Sequence, residues 1–149
     1  RPPREAVRGT PTPEGDTPGA FWVKEFRPPL QGYIIAFPAG LVEKGETAEA
    51  AGRRELPEET GYEITTVTKI SPTVFTSPGL TDESGSLMFC RCKPTGKGPA
   101  HEAAEDMAVL ELTFDGVVKL LEDVEASRER MAAKCWLVLN SFVMQGRLA

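Results

Sequence analysis

Residues 40–62 read GLVEKGETAEAAGRRELPEETGY, and the spacing of charge and glycine within them decides how the rest of the chain is read. Thr47 is placed as the N-cap of a helix over 48–59, and Gly61 as the residue that stops it. At about 100° per residue, Glu55 and Glu59 share one helix face and Glu58 lies beside Glu55 at i+3. Ala48, Ala51 and Gly52 on the same face are small enough to let backbone or ligand approach. Like charges on one stripe repel by about 0.2–0.5 kcal/mol per pair. A divalent cation reverses that sign, because Mg²⁺ prefers carboxylate oxygens and water. The plain alternative is a solvated acidic face, the usual meaning of a glutamate cluster, and the carboxylates alone leave both readings open. Pro57 removes a backbone donor inside the helix and predicts a kink costing about 3 kcal/mol.

Outward from this stretch, FWVKEF at 21–26 is read as a strand closed by Arg27-Pro28-Pro29, and YIIAF at 33–37 as a second, closed by Pro38-Ala39-Gly40. Trp22 is read as a core residue. Past the helix, 64–70 and 73–76 alternate like strands, Ser77-Pro78-Gly79 turns the chain, and 86–92 forms another short strand. Residues 93–104 read as a surface loop and 107–114 as a last strand. Two helices are expected over 117–124 and 128–144, with Met131, Cys135, Leu139 and Phe142 near helical spacing. The five prolines and three glycines of 1–19 predict an arm rather than a helix or central strand. The expected organisation is therefore an N-terminal arm over 1–19 and one domain over 20–149. The fold class is α+β, a mixed β-sheet sandwiched between α-helices.

A chain of 149 residues, 40% hydrophobic, is long enough to bury a core without disulfides or a structural metal. Its net charge of −5 argues against a protein that coats nucleic acid, while leaving small acidic ligands open. No apolar run reaches the length of a membrane span, and no signal-peptide pattern is read in the opening residues. Three cysteines make an odd number. Cys90 and Cys92 are expected to point to opposite faces of a strand, so free thiols in a reducing, cytoplasmic compartment are expected rather than a disulfide or zinc site.

Gly40, five residues, Glu46, seven residues, Arg54-Glu55-Leu56, one residue, Glu58-Glu59, one residue, then Gly61-Tyr62 is a spacing that resembles the Nudix box throughout. The resemblance implies the Nudix fold and a hydrolase that cleaves a nucleoside diphosphate linked to another group. It implies that Glu55, Glu58 and Glu59 are catalytic and hold Mg²⁺, with Mn²⁺ as an alternative, joined by the backbone carbonyl of Ala39. Glu46 and Arg54 are expected to pair and brace the loop. The chemistry is coherent, because cations neutralise the phosphate charge that repels an attacking water and lower that water's pKa.

KEFRPP at 24–29, FPAGL at 37–41 and SPGL at 77–80 further resemble the ADP-sugar pyrophosphatases, which hydrolyse ADP-ribose to AMP and ribose 5-phosphate. Carried over, Arg27, Ala39, Gly40 and Leu41 bind substrate, and Arg27 offers a planar fork to a phosphate. A loop glutamate after the box serves as general base. Glu105 is assigned that role, with Glu83, Glu102 and Asp106 as alternatives and His101 taken as incidental. The subfamily resemblance also implies a homodimer acting on a nucleoside diphosphate sugar. Two alternatives remain: a hydrolase of another nucleoside diphosphate derivative or oxidised nucleotide, or a catalytically weak nucleotide-binding module. Pro57, and Ala36 where many ADP-ribose hydrolases carry a glutamate, keep the latter in view.

Overall fold

The alternation of aromatic and β-branched residues with charge at the start of the sequence builds β1 (Ala20–Arg27), the centre of a three-stranded sheet. The computed structural model describes residues 20–100 and 106–146. The arm expected over 1–19 and the loop residues His101, Glu102 and Glu105 lie outside the described residues. Pro28 and Pro29 open a 3-10 turn, and Gln31 in the left-handed region (φ 46°) reverses the chain into β2 (Gly32–Ala36). On its other edge β1 pairs with β7 (Met107–Leu112), and both pairings are antiparallel, with Val23 opposite Ala36 and Val109.

The contacts divide the chain into two compact units, one of 1–37 with 101–149 and one of 38–100. In the first unit, α2 (Phe114–Glu125) and α3 (Ala133–Gln145) accompany the three-stranded sheet. Trp22, Ile35, Val117, Leu120, Leu121, Cys135 and Leu139 form its apolar core. Burying each large side chain of this kind is worth roughly 1.5–3 kcal/mol, so the strand and helix periodicities converge on one cluster.

Several element boundaries differ from expectation, two of them for a visible physical reason. The strand expected over 107–114 ends at Leu112, because the Thr113 hydroxyl accepts from the Gly116 N–H (3.3 Å) and caps α2. The helix expected from 128 begins only at Ala133. Residues 128–132 are held elsewhere: the Ile35 N–H donates to the Arg130 carbonyl and the Ala132 N–H to the Ile35 carbonyl, both at 2.8 Å. This makes a parallel bridge between Ile35 and Met131, so parallel and antiparallel pairing coexist. Lys24 fastens the same segment through Glu129 at 2.7 Å.

In the second unit, α1 (Ala48–Thr60) lies with β3 (Tyr62–Ile70), which pairs antiparallel with β6 (Met88–Pro94). The two-residue strands β4 (Val74–Phe75) and β5 (Ser84–Gly85) form a separate ribbon, of which β5 was not expected. Helix α1 runs through Pro57 to Thr60 rather than ending at it. The expectation for the strand thiols is corrected: residues i and i+2 share a strand face, and the sulfurs of Cys90 and Cys92 lie 3.5 Å apart. Among the described residues the architecture is α+β, with three α-helices. No helix among the described residues is long and apolar enough to cross a membrane.

Candidate active site

The 38–100 unit holds the glutamates, and its backbone is set by local bonds. The Thr47 hydroxyl accepts from the Ala50 N–H at 3.1 Å, satisfying one orphan donor at the start of α1. At the other end Gly61 takes a left-handed conformation (φ 76°) and its N–H donates to the Pro57 carbonyl. A Cβ there would lie 2.9 Å from the Lys97 carbonyl oxygen, so both the turn and the space call for glycine. Before the helix, the Glu46 N–H donates to the Glu43 carbonyl and the Glu43 N–H to Glu46 Oε2, each at 3.0 Å.

Arg54 gathers this loop. Its Nη2 and Nε reach Glu46 Oε2 and Oε1 at 3.0 and 3.3 Å, Nη2 also donates to the Leu41 carbonyl at 3.0 Å, and Nη1 reaches Glu55 Oε1 at 2.6 Å. The expected Glu46–Arg54 pair is thus present as a two-point contact, the strong geometry for guanidinium and carboxylate. The guanidinium beside it, together with the Glu43 N–H, holds the Glu46 carboxyl below its usual range. Glu46 and then Glu55 push Arg54 further up in turn, so it stays a cation.

The loop backbone is what two of the glutamates share. A Cβ on Gly40 would overlap the Glu55 side chain, so Glu55 occupies space that only glycine leaves. Glu59 is buried, and its Oε2 accepts from the Ala39 N–H at 3.0 Å. Consecutive backbone residues 39 and 40 therefore lie against two carboxylates one helix turn apart. Glu58 is exposed, and its described bond is through its carbonyl, which accepts from the Ala100 N–H at 2.8 Å. Among the described residues no three His, Cys, Asp or Glu side chains are gathered into a ready-made metal site. Glu55 Oε1 accepts from Arg54 Nη1, and Glu59 Oε2 accepts from the Ala39 N–H. The donors themselves, carboxylate and backbone oxygens, fit a hard divalent cation and not a thiophilic one.

The other residues singled out in the sequence are distributed as follows. The Leu41 side chain is 84% exposed while its carbonyl is held by Arg54. Arg27 belongs to the first unit, at the end of β1, where its Nη2 pairs with Glu25 Oε1 at 2.7 Å. Asp106 accepts from the Tyr33 hydroxyl at 2.6 Å. Glu83 is exposed on the stretch joining β4 and β5. Glu102, Glu105 and His101 lie outside the described residues. What sequence reading missed is the reach of Arg54 to Glu55 and to the Leu41 carbonyl. Neighbouring helix residues diverge by about 100°, so face patterns do not pair them, and backbone acceptors carry no residue-type signal.

A NUDIX domain family model matches residues 2–135. The chain is similar to the ADP-ribose pyrophosphatase of Bacillus subtilis (strain 168), 40% identical over 105 residues that make up 69% of this chain and 56% of that protein. It is also similar to the ADP-sugar pyrophosphatase of Mus musculus, 53% identical over 60 residues, 40% of this chain and 27% of that one. The chain thus spans about half the length of the first relative and about a quarter of the second. Among solved structures it resembles an ADP compounds hydrolase with a TM-score of 0.67 at 20% identity, covering 90% of this chain and 71% of that chain. That likeness establishes a shared fold.

Proposed function

The chain belongs to the Nudix domain family, and from that premise we propose that it hydrolyses the pyrophosphate bond of ADP-ribose or a related ADP-sugar. The products are AMP and a sugar phosphate, and the cofactor is Mg²⁺, with Mn²⁺ able to replace it. The observation that carries this reading is the pair of carboxylates on the 39–40 backbone: Glu59 bonded to the Ala39 N–H and Glu55 in the space left by Gly40. The names of the two relatives supply the substrate class.

In this proposal Glu55, Glu58, Glu59 and the Ala39 carbonyl hold the divalent cation. A bound cation supplies charge neutralisation at the pyrophosphate and polarises its phosphoryl oxygens. Arg54 is a positioning residue that keeps Glu55 and the Leu41 carbonyl in one frame. The exposed Leu41 side chain and the bare Gly40 backbone offer a surface on which substrate can lie. Arg27 supplies a guanidinium fork for a phosphate, exchanging Glu25 for the ligand. Glu105 is the carboxylate that accepts the proton of the attacking water; Asp106, the neighbouring alternative, is already engaged by Tyr33.

The protein is further proposed to act as a cytoplasmic homodimer. The exposed Trp136, Leu137 and Met144 on α3 favour pairing, and its three free cysteines suit a reducing compartment. The test is a hydrolysis panel with Mg²⁺ comparing ADP-ribose, ADP-glucose, diadenosine polyphosphates and nucleoside triphosphates. AMP and ribose 5-phosphate released fastest from ADP-ribose is the expected result. Faster turnover of a triphosphate or a dinucleoside polyphosphate would overturn the substrate assignment, and no turnover of any would overturn the hydrolase reading.

A further inference from the structure

Strand β6 carries two thiols that none of the chemistry above uses. Cys90 and Cys92 are both half-buried, face the same way and bring their sulfurs to 3.5 Å. The hydrogen bond shared with Cys92 lowers the Cys90 thiol to about 7, against the opposing effect of burial, and the Arg53 charge adds to the lowering. Cys92 is pushed up by the same bond and by burial. The lowered thiol is the better nucleophile and the raised one the better resolving partner, a division of attacking and resolving thiol.

The backbone around the pair is unusually arranged. Opposite it, β3 shifts register twice, between Ile64 and Thr66 and between Val67 and Lys69. Hydroxyls fill in beside the broken ladder: Thr65 donates to the Arg91 carbonyl at 3.0 Å and Thr68 to the Phe89 carbonyl at 2.9 Å. The extra residues of both shifts lie on β3, so it is β3 that bends, while β6 keeps a partner at every position from Met88 to Pro94. Alternate Cα atoms of an extended strand lie about 6.6 Å apart, within the roughly 4.4–6.8 Å that a disulfide spans.

We propose that Cys90 and Cys92 form a reversible thiol–disulfide site for an oxidised low-molecular-weight thiol, with Cys90 attacking and Cys92 resolving. The Cys90 thiolate attacks one sulfur of the small disulfide, forming a mixed disulfide and releasing one small thiolate. Cys92 then loses its proton and attacks the Cys90 sulfur, forming the Cys90–Cys92 bond and releasing the second. Two protein thiols are oxidised and one small disulfide is reduced to two thiols, so electrons and protons balance. Because the bridge spans two residues near the upper limit of reach, excess small thiol reverses it readily. Cys135 takes no part: it is buried in the core of the other unit, and burial pushes its thiol up to about 12.

The test uses the reduced full chain with oxidised glutathione at neutral pH, followed by acid quench, alkylation and peptide mapping. Trypsin cuts after Arg91, so a bridge keeps the two flanking peptides joined until a reductant parts them. The expected result is a loss of two hydrogens, with Cys90 and Cys92 joined and Cys135 alkylated only after denaturation. Cys92→Ser should trap a glutathione adduct on Cys90, and Cys90→Ser should react about tenfold or more slowly. A wild type that stops at the mixed disulfide, or bridges only when unfolded, overturns the proposal. The wild-type map stands by itself even if a variant folds poorly.

Discussion

The two units bury different things. In the sheet unit the fully buried side chains are Trp22, Val23, Ile35, Val117, Cys135 and Leu139, from two strands and two helices. In the 38–100 unit the buried positions are only Ala51, Ile64, Thr60, the stop glycine Gly61 and the carboxylate-bearing Glu59. Apolar area stabilises the first at roughly 25 cal/mol per Å². The second is held by discrete bonds: a helix cap, a glycine stop and one arginine joined to two glutamates and a carbonyl. Apolar burial is thus concentrated in one unit and the box glutamates in the other, so a substitution at the core and one at those carboxylates should have separable effects.

The largest expected effect is on chemistry. Glu59→Gln keeps an oxygen to accept from the Ala39 N–H but removes a negative charge and a strong ligand for a hard cation. Hydrolysis of ADP-ribose should fall by orders of magnitude, as loss of charge neutralisation at a pyrophosphate demands. The circular dichroism spectrum should be unchanged, and thermal unfolding should shift by no more than the worth of one buried hydrogen bond, about 0.5–1.5 kcal/mol. Unchanged turnover would remove Glu59 from the reaction.

The reverse experiment belongs to the sheet unit. Leu139 is fully buried on α3, and Leu139→Ala leaves a cavity costing about 2–5 kcal/mol. Denaturant melts should show that loss, while KM for ADP-ribose well below the melting temperature should stay near wild type. A rise in KM under those folded conditions would mean that packing around Leu139 is needed to shape the site.

Legibility in the sequence follows the same division between local and distant causes. Thr47 and Gly61 were readable because capping is a matter of three or four consecutive residues. The Nudix spacing located Glu55 and Glu59, which share residues 39 and 40. The same spacing includes Glu58, whose side chain is exposed; a helix wheel records its direction and not the partner it takes. The start of α3 was misplaced because 128–132 is fixed by Ile35, nearly a hundred residues earlier, and no local pattern announces such a bond. The thiol pair was misread by counting, since a period of two puts i and i+2 on one face.

Each unit has a threonine N-cap, which gives a matched pair of smaller perturbations. Thr47 accepts from Ala50 at 3.1 Å and Thr113 from Gly116 at 3.3 Å. Either threonine changed to alanine should cost about 1 kcal/mol in thermal or denaturant unfolding. Only Thr47→Ala should also lower kcat, because its helix carries Glu55 and Glu59. Equal activity in the two variants would show that the start of α1 does not position the carboxylates.

The smallest effect is expected where the apolar unit contains a polar exception. Trp22 is almost wholly buried, and its indole Nε1 has no hydrogen-bond partner among the described residues. An unsatisfied buried donor costs about 1–3 kcal/mol. Trp22→Phe removes that donor along with part of the ring, and the lost packing carries a penalty of similar size. These two effects oppose each other, so net stability should change by no more than about 1 kcal/mol, far less than for Leu139→Ala. Unfolding curves of the two variants measure the contrast directly. A loss of several kcal/mol for Trp22→Phe would mean that packing alone governs this position and that its N–H carries no penalty. A gain would mean that the orphaned donor costs the fold more than the indole's extra packing contributes, and that the core tolerates it at a net loss of stability.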